Sequence, residues 1–127
     1  MSPFKMSKIE SVVRLVLEFN QAFNSHDVGG MMALISDDCT FESKTPAPDG
    51  GVYSGKNEIT QYWQDFFRES PNANYKIEDI FGLGERCIMR LQSTWSDAAG
   101  EKCHARGVDI FRVRSGSIIE ILSYVKA

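Results

Sequence analysis

Residues 103–125 read CHARGVDIFRVRSGSIIEILSYV and carry the pattern that decides the fold. Two runs rich in β-branched and aromatic residues flank a turn at residues 114–117, which is typical of a β-hairpin with a short Gly-containing loop. Because side chains alternate along a strand, Asp109 shares one face with Gly107, Phe111 and other small or apolar residues. Gly107 has no side chain, so we expect the surface beside the Asp109 carboxyl group to be hollow. A single acid over a hollow in an apolar face is a candidate site.

The length and composition are those of one ordinary globular domain. The chain has 127 residues, of which 43% are hydrophobic and 24% charged, so we expect a single domain over residues 1–127. The net charge is −3 and no run of Lys and Arg occurs, which argues against a nucleic-acid partner. No apolar segment approaches the roughly 18 residues of a membrane helix, and the first residues lack the apolar stretch of a signal peptide. We therefore expect no membrane association and a cytoplasmic location.

Cysteine and histidine are too few and too scattered to indicate a metal centre, so no metal site is expected. Free thiols are expected at the three cysteines, Cys39, Cys87 and Cys103. His104 falls on the strand face opposite Asp109, which favours a surface or interface role. His26 lies in a helix-ending turn, where local hydrogen bonding is the simplest role.

Three helices are predicted in the first part of the chain. The pattern of Ser7 and Glu10 is a capping box that opens an amphipathic helix over about residues 7–25. Asp27 is placed to cap a short second helix. A third helix begins after Gly55, and its apolar positions recur at helical spacing. These positions are Ile59, Tyr62, Trp63, Phe66 and Phe67. Such a stripe indicates core packing first, with contact to a ligand as the alternative.

The remaining segments have the two-residue period of strands. A short strand is predicted at residues 39–43, after a turn at residues 36–38, and a Pro- and Gly-rich loop at residues 44–51 is of a kind that rims pockets. Four longer strands are predicted at residues 75–81, 86–97, 102–114 and 118–125. Tight turns join these four into an antiparallel meander, to which the early strand can add. Helices first and strands last indicate an α+β fold.

Three stretches of the sequence resemble one family. FNSHDVGGMMALISDDCTFES at residues 23–43, YSGKNEITQYWQDFF at residues 53–67 and GVDIFRVRSGSIIEILSY at residues 107–124 are similar to the SnoaL-like polyketide cyclase branch of the nuclear transport factor 2-like superfamily. They are less closely similar to ketosteroid isomerase. The resemblance implies a cone-like curved antiparallel sheet wrapped around three N-terminal helices, enclosing one apolar pocket. It also implies a homodimer through the outer face of the sheet.

The resemblance assigns roles unevenly. Asp109 falls where the cyclases carry their acid/base aspartate, and where the isomerase carries an aspartic acid that donates a hydrogen bond to the developing oxyanion. Phe19 replaces a tyrosine that is the isomerase's other oxyanion donor, and Ser43 replaces its general base. Glu42, one residue earlier, would serve as a base only if the strand were bulged. Trp63 replaces a supporting tyrosine, so the isomerase constellation is incomplete and ketosteroid isomerisation by that route is not expected.

Asp109 is nevertheless the predicted catalytic residue. A carboxyl group that faces an apolar hollow loses hydration, so its pKa is expected to rise toward neutrality, where it can take a proton from a carbon beside a carbonyl and return it. We therefore predict cofactor-independent cyclase, isomerase or dehydratase chemistry on an apolar carbonyl-bearing substrate. The predicted substrate-binding residues are Phe19, Tyr53, Trp63, Trp95 and Phe111, although the face that Trp95 occupies depends on a register that the sequence leaves open.

Three alternatives stand beside this prediction. The pocket can bind a small apolar ligand without turnover, or the domain can serve in protein interaction or assembly with the pocket filled. Asp109 can also have a purely structural role, in a buried ion pair with Arg86 or Arg90. On the opposite face of the same strand, Val108 and Ile110 lie between three charged residues, Arg106, Arg112 and Arg114. An apolar centre with charged margins favours the sheet-to-sheet homodimer.

Overall fold

The computed structural model of the chain describes residues 3–126, and the side chains of residues 11–126. Helix α1 spans Pro3–Asn24 and therefore begins four residues before Ser7, so the predicted start of the helix is wrong. The capping-box side chains of Ser7 and Glu10 lie outside the described side chains. The inward face of α1 carries buried apolar residues at spacings of three and four, which are Val12, Val16, Phe19 and Phe23.

The short helix α2 spans Val28–Met32 and is capped as predicted. The Asp27 carboxylate accepts a hydrogen bond from the Gly30 backbone N–H at 2.9 Å. Met31 and Met32 are buried and hold the helix against the core, which offsets the weak helix propensity of its two glycines. The described helices include none that is long and apolar enough to cross a membrane.

Strand β1 spans Ile35–Glu42 and is longer than predicted. Residues 36–38 were predicted as a turn but belong to the strand. The reason is that the first residue of β1 pairs with the strand at residues 117–125. Ile35 is registered against Ile118, and the Ile118 N–H donates to the Leu34 carbonyl at 2.9 Å. The pairing shifts register between Ile35 and Thr40, so the polar residues between them bulge without ending the strand.

A three-residue strand and a helix follow the Pro- and Gly-rich loop. Strand β2 spans Val52–Ser54 and pairs antiparallel with β1, a pairing that the sequence pattern did not indicate because the strand is so short. Helix α3 spans Lys56–Glu69 and places its predicted aromatic stripe on the core. Trp63 sits at the centre of this packing, edge-on to Phe23 at 5.5 Å between ring centroids and stacked on Phe41 at 5.3 Å.

The four predicted long strands are present as β3 (Asn74–Leu83), β4 (Arg86–Ser96), β5 (Lys102–Arg114) and β6 (Ser117–Val125). They form the predicted antiparallel meander within one six-stranded sheet of order β2-β1-β6-β5-β4-β3. β1 pairs with β6 in parallel, so the sheet is mixed where an antiparallel sheet was predicted. The sheet is curved and unclosed, and the helices pack on its inner face. The predicted α+β fold class is confirmed.

Candidate functional site

Asp109 lies in the middle of β5 on the inner face of the sheet. Its strand neighbours are Met89 of β4 and Ser123 of β6. Met89, Phe111 and the other residues at alternate positions are buried, whereas those at intervening positions, such as Arg112, face outward. Only 8% of the Asp109 surface is exposed, so the carboxyl group is inside the fold as the alternation predicts.

Burial decides the protonation of this carboxyl group. The loss of hydration raises the pKa of Asp109 from 3.8 to about 6, while a hydrogen bond from Ser123 and the charge of Lys44 act in the opposite direction. The predicted ion pair with Arg86 or Arg90 is wrong, because both arginines are exposed on the outer face and Arg90 lies 3.8 Å from Glu78. Asp109 is thus a buried acid without a matching buried arginine in the described part of the chain.

The predicted hollow beside Asp109 is not made by Gly107. A Cβ atom at Gly107 would lie 2.3 Å from the backbone oxygen of Tyr124, so the space next to this glycine is filled by β6. Gly107 serves the close approach of two strands. The prediction of an open surface at this position is therefore wrong.

The free space at Asp109 is small and lies on its other side. Phe19, Trp63 and Phe111, three of the five predicted substrate-binding residues, meet Asp109 around a cavity of about 10 Å³. Phe19 and Phe111 touch edge-on, with ring centroids 5.8 Å apart. A void of this size accommodates about one water molecule, so the inner cavity admits a ligand atom only if a neighbouring side chain moves.

Two buried polar atoms, both on residues that line this inner cavity, have no hydrogen-bond partner among the described residues. They are Oδ1 of Asn20, an acceptor, and Nε1 of Trp63, a donor. Both residues are nearly fully buried. Unpaired buried polar atoms are costly, so the pair offers a hydrogen-bond acceptor and a donor to any polar group that enters beside Asp109.

A second cavity, of about 200 Å³, shares one lining residue, Tyr75, with the first. Its walls include the apolar faces of Phe66, Tyr75 and Trp95 together with Lys44. Trp95, whose position the sequence left open, is on the inner face because it shares the alternation of the buried Ser93. Tyr75 lines both cavities and separates them.

Lys44 and Tyr75 form a polar contact that the sequence did not reveal. The Lys44 ammonium donates to the Tyr75 hydroxyl at 3.3 Å and lies 5.0 Å from the centre of the Tyr75 ring. Burial lowers the pKa of Lys44, partly offset by the charge of Asp109, and burial raises the pKa of Tyr75 well above its ordinary value. A lysine in a Pro- and Gly-rich loop is normally expected to be exposed to solvent. The sequence pattern therefore did not indicate that Lys44 lies at the cavity.

Ser43 explains how the loop brings Lys44 inward. Its buried hydroxyl donates to the Thr45 carbonyl at 2.8 Å and accepts from the Gly51 N–H at 3.0 Å, closing the loop at both ends. Glu42 alternates to the other side of β1, so the bulge that would turn it inward is not found at this position.

Tyr53, His26 and His104 lie away from Asp109. Tyr53 stacks on Phe41, contacts Tyr62 at a tilted angle and borders a surface groove between β2 and α3, so it lines neither of the two cavities. The ring of His26 contacts the Ala73 carbonyl at 2.7 Å, a partner distant in sequence where a local one was expected. His104 is exposed on the outer side of β5, as predicted. Within residues 3–126 no cluster of three or more potential metal ligands occurs.

Solved structures share this architecture. A nuclear transport factor 2-like protein of unknown function from Mesorhizobium loti is 31% identical, with 94% of each chain covered and a TM-score of 0.78. A putative polyketide cyclase from Xanthomonas campestris is 20% identical over 92% of this chain and 91% of its own, with a TM-score of 0.78. A protein with a ketosteroid isomerase-like fold from Catenulispora acidiphila is 14% identical over 87% of this chain and 83% of its own, also at 0.78. The last two likenesses establish the fold alone.

A family model gives the assignment at the level of sequence. No curated protein matches the chain at a significant level. The model of the SnoaL-like domain, however, matches residues 16–121. This range contains Lys44, Tyr75 and Asp109 together with nearly the whole sheet. The chain therefore belongs to the SnoaL-like domain family.

Proposed function

We propose that the protein is a cytoplasmic, cofactor-independent enzyme that moves a proton on a small, apolar, carbonyl-bearing substrate, with Asp109 as the acid/base. The observation that carries this proposal is the burial of Asp109 with a pKa of about 6. At neutral pH such a group is mostly a carboxylate, yet it is basic enough to take a proton and return it. All three cysteines are free, which suits a reducing compartment.

The cavity volumes limit the substrate. A cavity of about 150 Å³ lined by apolar side chains binds benzene. The cavity of about 200 Å³ beside Trp95 therefore accommodates one ring with a short substituent, and a multi-ring substrate requires the walls to open. We expect a single-ring or similarly small ketone or enone.

The proposed step uses the two cavities together. The apolar body of the substrate lies against Trp95, and rotation of Tyr75 or Phe19 lets its carbonyl group enter beside Asp109. The carboxylate takes a proton from the carbon next to the carbonyl, and the electron pair of that C–H bond moves to the oxygen to form an enolate. The unpaired N–H of Trp63 is available to donate to this oxygen. Asp109, now protonated, returns the proton to the same or another carbon.

Exchange of substrate hydrogen into D₂O tests the proposal without knowledge of the natural substrate. We expect the protein to accelerate deuterium uptake at the α-carbon of phenylacetone above the buffer rate, as followed by proton NMR. Asp109→Asn is expected to lower the enzymatic rate by about 100-fold or more, because general-base catalysis contributes that much. Asp49→Asn, in the exposed part of the loop, is the matched control. Equal rates for the wild type and Asp109→Asn would refute the assignment.

One observation favours a second function, the binding of an apolar ligand without turnover. Asp109 lines the small inner cavity and is not among the residues that line the larger one. If Tyr75 stays in place, a ligand fills the larger cavity and never meets the acid. Saturable binding of phenylacetone, unchanged by Asp109→Asn and without deuterium uptake, would identify this function.

For the assembly of the protein we propose a homodimer that joins two outer sheet faces. Cross-strand pairing aligns a row of apolar residues across this face, namely Phe81, Ile88, Ile110 and Leu122. Phe81 is 51% exposed. On one side of the row Glu78 pairs with arginines of β4 and β5, and on the other Glu85 pairs with Arg112 and Arg114. The charges on both sides of the apolar row are thus largely paired within the chain. An apolar centre with paired charges at its margins is suited to packing against the same face of a second copy.

Sedimentation at micromolar concentration tests the dimer. We expect a mass near twice 14.3 kDa for the wild type and a monomer for Ile110→Glu, which places a charge at the centre of the row. Thr94→Glu, on an exposed position near the end of β4, is the control and should leave the dimer intact. A monomeric wild type at these concentrations would rule the proposal out.

A further inference from the structure

The step proposed at Asp109 uses Lys44 only through its charge, which does not explain where the lysine side chain lies. Its loop is closed by Ser43, and its ammonium is half-buried at the wall of the cavity of about 200 Å³. The other walls of that cavity are mainly aromatic and aliphatic, including Phe66, Tyr75 and Trp95. A lysine in such surroundings needs an explanation, because this side chain normally keeps its charged end in water.

The partners of the ammonium within the protein are weak. Its hydrogen bond to Tyr75 uses one of three N–H donors and, at 3.3 Å, is long. No carboxylate of the described residues lies within the 4.0 Å of an ion pair with Lys44. Asp109 interacts with it through space, but this carboxyl group lines the other cavity.

The contact with the Tyr75 ring does not account for the position of the charge. A cation 5.0 Å from a ring centre is attracted to it, but the attraction is modest when the site is not fully dry. Burial still disfavours the charged form of Lys44, so the internal contacts do not compensate for the lost hydration. An anionic group in the cavity would supply the missing partner.

We propose that Lys44 binds an anionic oxygen of the substrate, and that the substrates are small carbonyl compounds of about one ring that also carry a carboxylate or an equally acidic hydroxyl group. In this arrangement the ammonium holds the anionic end in the larger cavity, and the carbonyl end points past Tyr75 toward Asp109. The inference rests on the proposed function for the carbonyl end, whereas the anion site stands on the surroundings of Lys44 alone.

A matched pair of probes tests the anion site separately from any reaction. Benzoate and benzamide have nearly the same shape, and only benzoate is charged at neutral pH. We expect calorimetry to give an affinity for benzoate about tenfold or more above that for benzamide, as is typical of a charge-assisted hydrogen bond. In an NMR spectrum, the indole N–H resonance of Trp95 should shift when benzoate binds. This resonance is identified by its absence from the spectrum of Trp95→Phe.

Three lysine variants locate the effect. Lys44→Met should reduce the preference for benzoate to about twofold or less, while Lys44→Arg should retain most of it. Lys76→Met removes the same charge from an exposed neighbour of Tyr75 and should change nothing. A circular dichroism spectrum of Lys44→Met like that of the wild type would show that the variant is folded. An unchanged affinity for benzamide would show that its cavity is intact.

The outcomes separate this inference from the proposed function. Equal affinities of the wild type for the two probes, binding of neither, or a preference that survives Lys44→Met would overturn the anion site. A benzoate preference that depends on Lys44, in a protein that catalyses no deuterium exchange on phenylacetone or on phenylpyruvate, would support the anion site and refute the catalytic proposal.

Discussion

Lys44 and Asp109 each stabilise the charge of the other. The ammonium lowers the pKa of the carboxyl group, and the carboxylate raises the pKa of the amine. For both groups burial is the stronger effect and acts in the opposite direction. The pKa of Asp109 is therefore about 6, and that of Lys44 lies below its ordinary value. Both titrations move toward neutrality, which is the condition for proton transfer near pH 7.

The buried acid makes folding stability depend on pH. The pKa of Asp109 is higher in the folded protein than the ordinary 3.8, so the folded state holds this proton more tightly than the unfolded state does. The resulting stabilisation is complete below about pH 4 and is lost as the pH rises through about 6. A shift of roughly two pKa units corresponds to about 3 kcal/mol.

We therefore predict that the stability difference between Asp109→Asn and the wild type shifts by about 3 kcal/mol in favour of the variant between pH 4 and pH 8. Urea denaturation at the two pH values measures this, and Asp49→Asn provides the baseline for an exposed aspartate. A stability difference that is the same at both pH values would contradict the raised pKa.

The same titration should appear in the rate of deuterium exchange. Because only the carboxylate form of Asp109 accepts a proton, kcat/KM is expected to rise tenfold per pH unit below about pH 6 and to level off above it. In Lys44→Met the carboxylate loses a nearby positive charge, so this limb should move to higher pH. A pH profile between 4.5 and 8 for both proteins provides the measurement. A limb that stays at the same pH in Lys44→Met would show that the two charges do not interact.

Gly107 is predicted to tolerate no side chain. A methyl group there would lie 2.3 Å from the backbone oxygen of Tyr124, and the backbone of β6 cannot move without breaking its pairing with β5. Gly107→Ala should cost roughly 2–4 kcal/mol of unfolding free energy or prevent folding. Gly29→Ala in α2 is the control, because its added carbon would make only ordinary contact, 3.7 Å from the Asp27 carboxylate. Thermal unfolding of the two variants gives the comparison, and equal losses would contradict the strand contact.

Filling the larger cavity should abolish binding without unfolding the protein. Ala105 lines this cavity, and Ala105→Leu adds three carbon atoms to its wall. We expect benzoate affinity to fall by about tenfold or more, with the melting temperature changed by only a few degrees. His104→Leu adds an apolar side chain to the neighbouring position on the outer face and should leave binding unaffected. If Ala105→Leu binds benzoate normally, the ligand occupies another part of the molecule.

Local patterns were enough to predict most of the fold. The aromatic stripe of α3 and the four strands of the meander depend on spacings of 3.6 and 2 residues, which the chain keeps through most of each element. The same alternation placed Asp109 on the inner face. The extension of β1 was not predictable in this way, because it depends on the pairing of Ile35 with Ile118, which lies far away along the chain.

The details of the site depended on packing that no local pattern encodes. Gly107 looked like an opening and is instead filled by the backbone of Tyr124. Lys44 was not singled out by any sequence pattern, and two hydrogen bonds at Ser43 close its loop and bring it to the cavity. Tyr53 was predicted at the pocket and lies instead at the groove between β2 and α3, against Phe41 and Tyr62. In each case the decisive neighbour is remote in sequence or lies across a turn whose geometry the residue types leave open.

The position of β6 between β1 and β5 has a consequence for how the protein is made. The strand that joins the two halves of the sheet is the last of the six strands to be synthesised, so β1 and β2 have no partner in the meander until Ser117–Val125 has been made. Contacts this distant along the chain close late and slow the search for the native state. Until β6 has been made, Asp109 also lacks its partner Ser123.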